Sequence, residues 1–508
     1  MEAISSLDNN VFWRVLFLVG QGLGLALGLG LVYLLCIAFY NAFFHPLRGF
    51  PGPKLWAVTR LPYTHMYLSG DAPRRVLELH KMYGPIVRLA PEILSINHPE
   101  AMQQLRGHRK QGMKDHEKDP VQFAASRHNI IGANREDHAR YRRTMAHAFS
   151  AQAMHDQQPV IKTYVDRLIE RLSSESMHGT RPLDMTNWYN YATFDIIGDL
   201  AFGESFGCLE NATYHPWVST VFSSLKNIAF MVSMNRYPGI TPILKSFIPK
   251  GVATKWAEHS QLSLEKVKKR IELGASRPDF IEMMMRGSKG GGMTVDELAA
   301  NAAVLIIGGS ETTATLLSAA TYYLGMNPQA LATLTEEVRS AFASEDEIEL
   351  AGVQKLPYML AVLDETLRLY PPTPNGQPRK IAQGGDTIIG KYIPQDTLVE
   401  IWQWALYHNP AYFRQPDAFI PERWLGDARF LDDKQDSVQP FSVGPRNCIG
   451  RNLAYAEMRL IMARLIWNFN IELSPDAKDW DTRSKVYILW EKPPLEVYLI
   501  PRSDSKRT

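Results

Sequence analysis

Phe441-Ser442-Val443-Gly444-Pro445-Arg446-Asn447-Cys448-Ile449-Gly450 is the stretch on which the reading of this chain turns. A lone cysteine sits in a turn bounded by Gly444 and Gly450, with Arg446 two residues before it and an apolar run, Leu453 to Ile466, after it. The run predicts a helix, so the turn places the thiol at a helix mouth. There, peptide N–H groups and the positive end of the helix dipole favour the thiolate. The glycines let the backbone bend and approach a flat ligand closely. A thiolate presented in this way suits the axial position on haem iron, where it pushes electron density toward the metal and favours O–O cleavage. The chain has three cysteines, Cys36, Cys208 and Cys448, too scattered for a disulfide framework or a zinc site. A free, functional Cys448 fits a reducing compartment.

The 508 residues are 45% hydrophobic, ample for a large core, and the formal net charge of +2 gives no footprint for nucleic acid. Val15 to Phe39 is almost uninterrupted apolar sequence, with Gln21 the main polar break. It exceeds the roughly 20 residues that cross a bilayer and the apolar stretch of a cleaved signal peptide. Arg48, Lys54 and Arg60 follow it, against Arg14 with acidic Glu2 and Asp8 before it, so the positive-inside bias places the C-terminal part in the cytosol. The expected plan is a short tail over 1–14, a transmembrane anchor over 15–39, a hinge over 40–54 stiffened by Pro46, Pro51 and Pro53, and a catalytic unit over 55–508.

Helical patterns dominate the middle of the chain, including Ala139 to Phe149, Val160 to Leu172, Thr186 to Leu200, Trp256 to Ile271 and Thr294 to Leu324. Short strands are expected at Ile86 to Leu89, Ile93 to Ile96, Thr387 to Ile389, Thr397 to Val399, Val486 to Trp490 and Leu495 to Ile500. The fold class is therefore mainly α with small β-sheets. Thr294-x-x-Glu297 has the form of a capping box. The centre of that helix reads Gly308-Gly309-Ser310-Glu311-Thr312-Thr313. Each mid-helix glycine costs about 1 kcal/mol against alanine, and an embedded glutamate and threonines cost more if unsatisfied. Such rule-breaking is expected at a functional site. The glycines leave room for a small ligand, and a hydroxyl competing for a backbone carbonyl can open the helix ladder to water. Farther on, Glu365 and Arg368 share one helix face, where they can pair.

Together these motifs resemble the cytochrome P450 family. The cysteine loop matches Phe-x-x-Gly-x-Arg-x-Cys-x-Gly, and the central helix matches (Ala/Gly)-Gly-x-(Asp/Glu)-Thr-(Thr/Ser). Glu365-x-x-Arg368 is followed by Pro421-Glu422-Arg423, and His138-Ala139-Arg140-Tyr141-Arg142 resembles the helix that contacts a haem propionate, with His138 where the family carries tryptophan. The wording of the hinge, His45 to Lys54, looks like that of microsomal and especially fungal members. The resemblance implies the cytochrome P450 fold, haem b as cofactor and Cys448 as the iron ligand in a loop shaped by Phe441 and Gly450. Arg446, Arg142, His138 and Arg379 become haem contacts. Thr312 and Glu311 become the proton relay to iron-bound oxygen, and Glu365, Arg368 and Arg423 a structural network behind the haem.

It further implies O₂ as co-substrate, electrons from a separate NADPH–cytochrome P450 reductase, in some members with cytochrome b5, and no nucleic-acid partner. The expected location is the endoplasmic reticulum membrane, single-pass, with the catalytic domain facing the cytosol. The expected substrate is a lipophilic small molecule of fungal secondary metabolism, terpenoid, polyketide or alkaloid-like; the family's substrate-contacting regions map to about 108–132, 214–240, 300–312, 373–378 and 484–490, whose apolar residues Phe222, Phe230, Met231, Met234, Tyr487, Ile488 and Leu489 read either as substrate contacts or as plain core. Two other readings fit the cysteine loop: a reductase-independent isomerase or dehydratase on the same fold, and a non-catalytic haem-binding membrane protein. Thr312 argues against both.

Overall fold

The computed structural model describes residues 2–110, 112–246, 250–272, 274, 279–286 and 292–502. The last six residues of the expected 55–508 unit lie outside that set. The helices that position the site are α1 (Glu2–Phe43), α2 (Arg135–Met145), α3 (Ala151–Glu175), α4 (Met185–Phe202), α5 (Lys250–Glu272), α6 (Val295–Met326), α7 (Pro357–Leu369) and α8 (Arg451–Asn468). The strands are β1 (Ile86–Ala90), β2 (Ile93–Ile96), β3 (Glu117–Lys118), β4 (Leu183–Asp184), β5 (Arg379–Lys380) and β6 (Asp386–Ile388). They continue with β7 (Lys391–Ile393), β8 (Leu398–Glu400), β9 (Phe469–Leu473), β10 (Lys485–Val486), β11 (Trp490–Glu491) and β12 (Glu496–Pro501).

α1 is longer than the predicted span. Its apolar part runs Val11–Phe43, with those side chains largely exposed. Nothing polar stops the helix before Pro46, which disfavours helical backbone at His45. The segment after it is anchored rather than free. Arg88 takes the Pro51 carbonyl on its backbone N–H at 2.7 Å and reaches back to the Asn41 carbonyl at 3.1 Å. Gly52 is required there, because a Cβ would meet the Arg88 carbonyl oxygen at 2.5 Å.

The core is helical. α6 crosses its centre and packs on α4, α5, α7 and α8. Its start carries the predicted capping box: the Thr294 hydroxyl accepts from Glu297 N–H, and the Glu297 carboxylate accepts from Thr294 N–H. A five-stranded sheet in the order β1-β2-β8-β5-β3 flanks the helices, and β4-β12-β9 form a smaller sheet. The apolar run at 486–490 is a tight hairpin rather than one strand: β10 and β11 pair antiparallel, Val486 opposite Trp490, with Tyr487–Leu489 as the bend. The β3–β5 register sets Lys118 directly opposite Arg379. Like charges facing each other across a ladder are destabilising unless something neutralises them.

Candidate active site

A cavity lies between the middle of α6 and the loop before α8. Gly308, Gly309, Thr312 and Thr313 line one side, and Phe441, Arg446, Asn447, Cys448 and Gly450 line the other. The loop that presents Cys448 is closed by its own backbone, with Cys448 N–H donating to the Phe441 carbonyl at 2.8 Å. Gly444 has φ +74°, and a Cβ on it would fall 2.1 Å from the Arg106 carbonyl oxygen, so only glycine permits this turn to seat against residue 106. Gly450 needs no special backbone. A Cβ there would meet only the Cys448 sulfur, at 4.0 Å, leaving the surface beside it flat and open. The Phe441 ring packs on Tyr455, centroids 5.2 Å apart, which ties the loop to α8.

The accessible face of Cys448 is turned to this cavity, and protein encloses the rest of it. Burial pushes the thiol above its ordinary value, and the Gly450 N–H with Arg142 and Arg451 pulls it only part of the way back. A metal bound at Cys448 would deprotonate the thiol outright.

The two glycines of α6 serve different ends. Gly308 faces open space, and a Cβ placed on it would have nothing within 4 Å, whereas a Cβ on Gly309 would press on Ile197 Cδ1 at 2.9 Å. Gly308 clears the cavity, and Gly309 lets α4 approach. The Thr312 hydroxyl donates to the Gly308 carbonyl at 2.8 Å, the competition that opens a helix ladder. Glu311 points away from the cavity. It is buried, ion-paired to Lys492, and accepts from the Thr315 hydroxyl at 3.3 Å. Burial raises its carboxyl above the usual range, and Lys492 and the hydrogen bonds oppose that.

At one end of the cavity cations gather, with Asp115, Glu117 and Glu136 acting on Arg446 and Asp115 on Arg379. Lys118, His138, Arg142 and Arg446 line it, and Arg379 and Arg106 stand behind. Burial, then Arg379, Arg446 and Arg106, hold the Lys118 ammonium well below its ordinary value. Burial, then Arg106 and Arg446, do the same to Arg379. Burial, then Arg446, Lys118, Arg142 and Arg379, press His138 down to about 3. Arg446 gives one nitrogen to the Ala133 carbonyl at 2.9 Å, while its Nη1 is buried without a hydrogen-bond partner. Arg142 is more committed than the sequence suggested, donating to the Asn447 carbonyl at 2.6 Å and to the Asn447 side chain. Buried charges of one sign call for compensation. An apolar slot with a thiol at one face and a buried cationic end fits a flat, iron-bearing macrocycle with two carboxylates.

Behind the site, Glu365, Arg368 and Arg423 have no exposed side-chain surface. Arg368 forks onto both Glu365 oxygens at 2.9 and 2.8 Å, and Arg423 stands 3.4 Å from the carboxylate. Burial pushes the Glu365 carboxyl up, but the two guanidiniums and the Ile420 N–H outweigh it and hold it below the usual range. Trp424 Nε1–H adds a bond at 2.9 Å, and Asp433 pairs with Arg423.

Three functional-looking residues escaped the sequence reading: Lys118, Asp433 and Lys492. Each lies in a segment without a motif, and only the folded chain brings it to its partner. Three of the expected substrate-contacting regions reach the cavity: 108–132 through Ile130 and Ile131, 300–312 through Val304 and Leu305, and 373–378 through Thr373. Among the named apolar residues, Phe230 is 41% exposed, Tyr487 and Ile488 pack in a core beside β1 and β8, and the Phe222 side chain lies outside the described residues.

Comparison with known proteins agrees with this geometry. The cytochrome P450 family model matches residues 50–499, and the chain belongs to that family, whose members bind haem through a cysteine thiolate. Trichothecene C-15 hydroxylase of Fusarium sporotrichioides is 53% identical over 483 residues, 94% of this chain and 98% of that protein. The cytochrome P450 monooxygenase astA of Talaromyces wortmannii is 45% identical over 485 residues, covering 95% and 97%. Averantin hydroxylase of Dothistroma septosporum is 43% identical over 488 residues, covering 94% and 91%. The chain is thus an oxidoreductase of the P450 monooxygenase class, which uses O₂ and a redox partner, and its relatives are fungal enzymes of secondary metabolism.

Proposed function

We propose that this chain hydroxylates an unactivated carbon of a polycyclic terpenoid of the trichothecene type, using a haem held by Cys448. The observation that carries the reading is the facing pair of Cys448 and Thr312 across an apolar slot with a cationic end. Haem bound there supplies O₂ activation and oxygen transfer to carbon. Arg446, Lys118 and Arg379 would orient it by compensating its carboxylates and His138 by donating a ring N–H, with Arg142 bracing the loop through Asn447. Ile130, Ile131, Val304 and Leu305 exclude water and hold an apolar skeleton against the open face of Gly308. Thr312 holds a proton-carrying hydroxyl at the cavity wall, and Glu311 is the acid behind it. The terpenoid class is favoured by the trichothecene hydroxylase, the more similar of the two hydroxylases.

By the same reading, α1 crosses the endoplasmic reticulum membrane, the unit from residue 55 onward faces the cytosol, and electrons come from NADPH–cytochrome P450 reductase, with cytochrome b5 as an auxiliary donor. The test is the Soret spectrum of the purified protein titrated with a trichothecene and, separately, with averantin. A low-spin to high-spin shift with the trichothecene alone is expected. A shift with averantin alone overturns the terpenoid assignment. A reduced carbon-monoxide spectrum unchanged in Cys448→Ser overturns the iron ligand.

A further inference from the structure

Glu311 is separated from the cavity by the helix that carries it, and its partner comes from far along the chain. Lys492 Nζ is ion-paired to Glu311 and donates to the Thr315 hydroxyl at 2.8 Å, with both charged side chains nearly fully buried at 2% and 4% exposure. A buried ammonium is costly unless it is placed deliberately, and the neighbours of Lys492 fix its position. Just before it, Trp490 stacks on Tyr370 at 4.0 Å between centroids and donates its indole N–H to the Pro371 carbonyl at 2.8 Å. Just after it, the Pro493 carbonyl accepts the Trp480 indole N–H at 2.8 Å. The second Glu311 oxygen, Oε2, is buried without a hydrogen-bond partner. A polar file leads outward from the same side of α6. Asn190 beside Glu311 donates to Tyr214 Oη at 3.1 Å, Tyr214 to Asn187 Oδ1 at 2.7 Å, and Asn187 to half-buried Asp184 at 2.7 Å.

We propose that Lys492 is a positioning residue for proton delivery, holding the Glu311 carboxyl in place and stabilising the carboxylate that remains each time Glu311 gives up a proton. The proposal rests on the relay reading of Thr312 and Glu311 above. In the step, the Glu311 O–H bond breaks and the proton passes by way of solvent to the Thr312 hydroxyl, which relays it into the cavity. The carboxylate left behind pairs with Lys492. A proton drawn from bulk water restores the acid, with Asn190, Tyr214 and Asn187 as the polar surroundings of its entry and not as its carriers. Without Lys492 the carboxylate is buried with no cation beside it, so proton release becomes uphill. The other titratable groups facing Glu311 are the Tyr214 and Tyr370 phenols. Neither supplies a positive charge, so among the described residues no second cation stands beside Glu311 to replace Lys492.

The test uses the full-length, haem-loaded protein in lipid nanodiscs. The infrared band of a protonated carboxyl that disappears in Glu311→Gln belongs to Glu311, and its pH midpoint is followed in each variant. In Lys492→Gln the midpoint is expected to rise by about one to three units, the effect of removing a neighbouring opposite charge. In Lys492→Arg it returns to the wild-type value. With reductase and NADPH, peroxide released per NADPH is expected to rise several-fold in Lys492→Gln and stay at the wild-type level in Lys492→Arg. Thr315→Val, which removes only the hydroxyl between the two groups, should move the midpoint in the same direction by less, and it serves if Lys492→Gln does not load haem. An unmoved midpoint in Lys492→Gln or in Thr315→Val overturns the proposal, as does equal uncoupling in Lys492→Arg. The reduced carbon-monoxide spectrum of the same wild-type sample separates the two readings. A missing thiolate signature sinks the functional assignment, whereas a normal one beside an unmoved midpoint sinks only the role of Lys492.

Discussion

Gly308 and Gly309 are neighbours on one helix, and the structure gives them opposite responses to the same methyl group. Replacing a mid-helix glycine by alanine gains about 0.8–1.0 kcal/mol of helix stability. At 308 nothing lies within 4 Å of the new Cβ, so Gly308→Ala keeps the whole gain, about 1 kcal/mol. At 309 the Cβ meets Ile197 Cδ1 at 2.9 Å and Cγ1 at 3.0 Å, and Ile197 is only 1% exposed. A side chain so enclosed cannot swing aside, and overpacking of this kind costs about 1–3 kcal/mol. Gly309→Ala is therefore neutral to about 2 kcal/mol less stable than wild type, and the two variants differ by about 1–3 kcal/mol. The assay is heat denaturation of the haem-loaded protein at one scan rate, since large membrane proteins unfold irreversibly. The cause is isolated with Ile197→Val, which removes the Cδ1 atom. Alone it costs about 0.5–1.5 kcal/mol, but in the Gly309→Ala background it should cost nothing or restore stability. If Gly309→Ala stabilises as much as Gly308→Ala, or Ile197→Val costs the same in both backgrounds, the assignment of Gly309 to helix contact is wrong.

Thr312→Ala removes the hydroxyl that holds the Gly308 carbonyl and should raise peroxide released per NADPH several-fold while the reduced carbon-monoxide spectrum stays unchanged; unaltered coupling would remove Thr312 from the relay. Glu365→Gln leaves Arg368 and Arg423 buried beside a neutral amide and should cost about 3–5 kcal/mol, read as faster loss of the thiolate spectrum on heating, whereas wild-type heat resistance would show the network to be dispensable. His80 is held near 4, chiefly by burial, with its ring bonded to Ser95 Oγ at 2.7 Å and the Gly84 carbonyl at 2.9 Å. Its folded value lies below the unfolded 6.5, so its contribution is intact above pH 6.5 and is lost as pH falls toward 4, about 3 kcal/mol in all. His80→Gln should flatten the pH dependence of the denaturation midpoint in that window; an unchanged slope would refute it.

What the sequence makes legible here is what repeats locally. The cysteine loop, the capping box at Thr294 and the Glu365–Arg368 pair are each written within ten residues, and their geometry follows from turn and helix periodicity. The cationic end of the cavity is different. Lys118 and Arg379 are far apart in the chain, and only the β3–β5 register sets them opposite each other. Arg379 was reachable through family resemblance, whereas Lys118 sits in a polar stretch that looks like ordinary loop. The regions expected to touch substrate divide in the same way: Ile130, Ile131, Val304, Leu305 and Thr373 line the cavity, whereas Tyr487 and Ile488 belong to an apolar cluster that includes residues of β1 and β8. Helical or strand spacing cannot tell a side chain that faces a cavity from one that faces a neighbouring element.

The acid and the alcohol of the central helix show the same limit and explain the site's architecture. Adjacent residues on a helix point about 100° apart, and here Thr312 lines the cavity whereas Glu311 is not among its lining residues. Thr312 takes the cavity, and Glu311 turns into the protein, where its charge needs a partner. A carboxylate there without a cation would be neutralised by its own raised pKa. The position of α6 that reaches Glu311, four residues on, holds Thr315, a hydroxyl and not a cation. α6 contains no lysine or arginine, and the ammonium comes from the C-terminal segment as Lys492, which also donates to the Thr315 hydroxyl. The counter-charge thus lies in a segment without a motif of its own, and no reading of the helix alone could have located it.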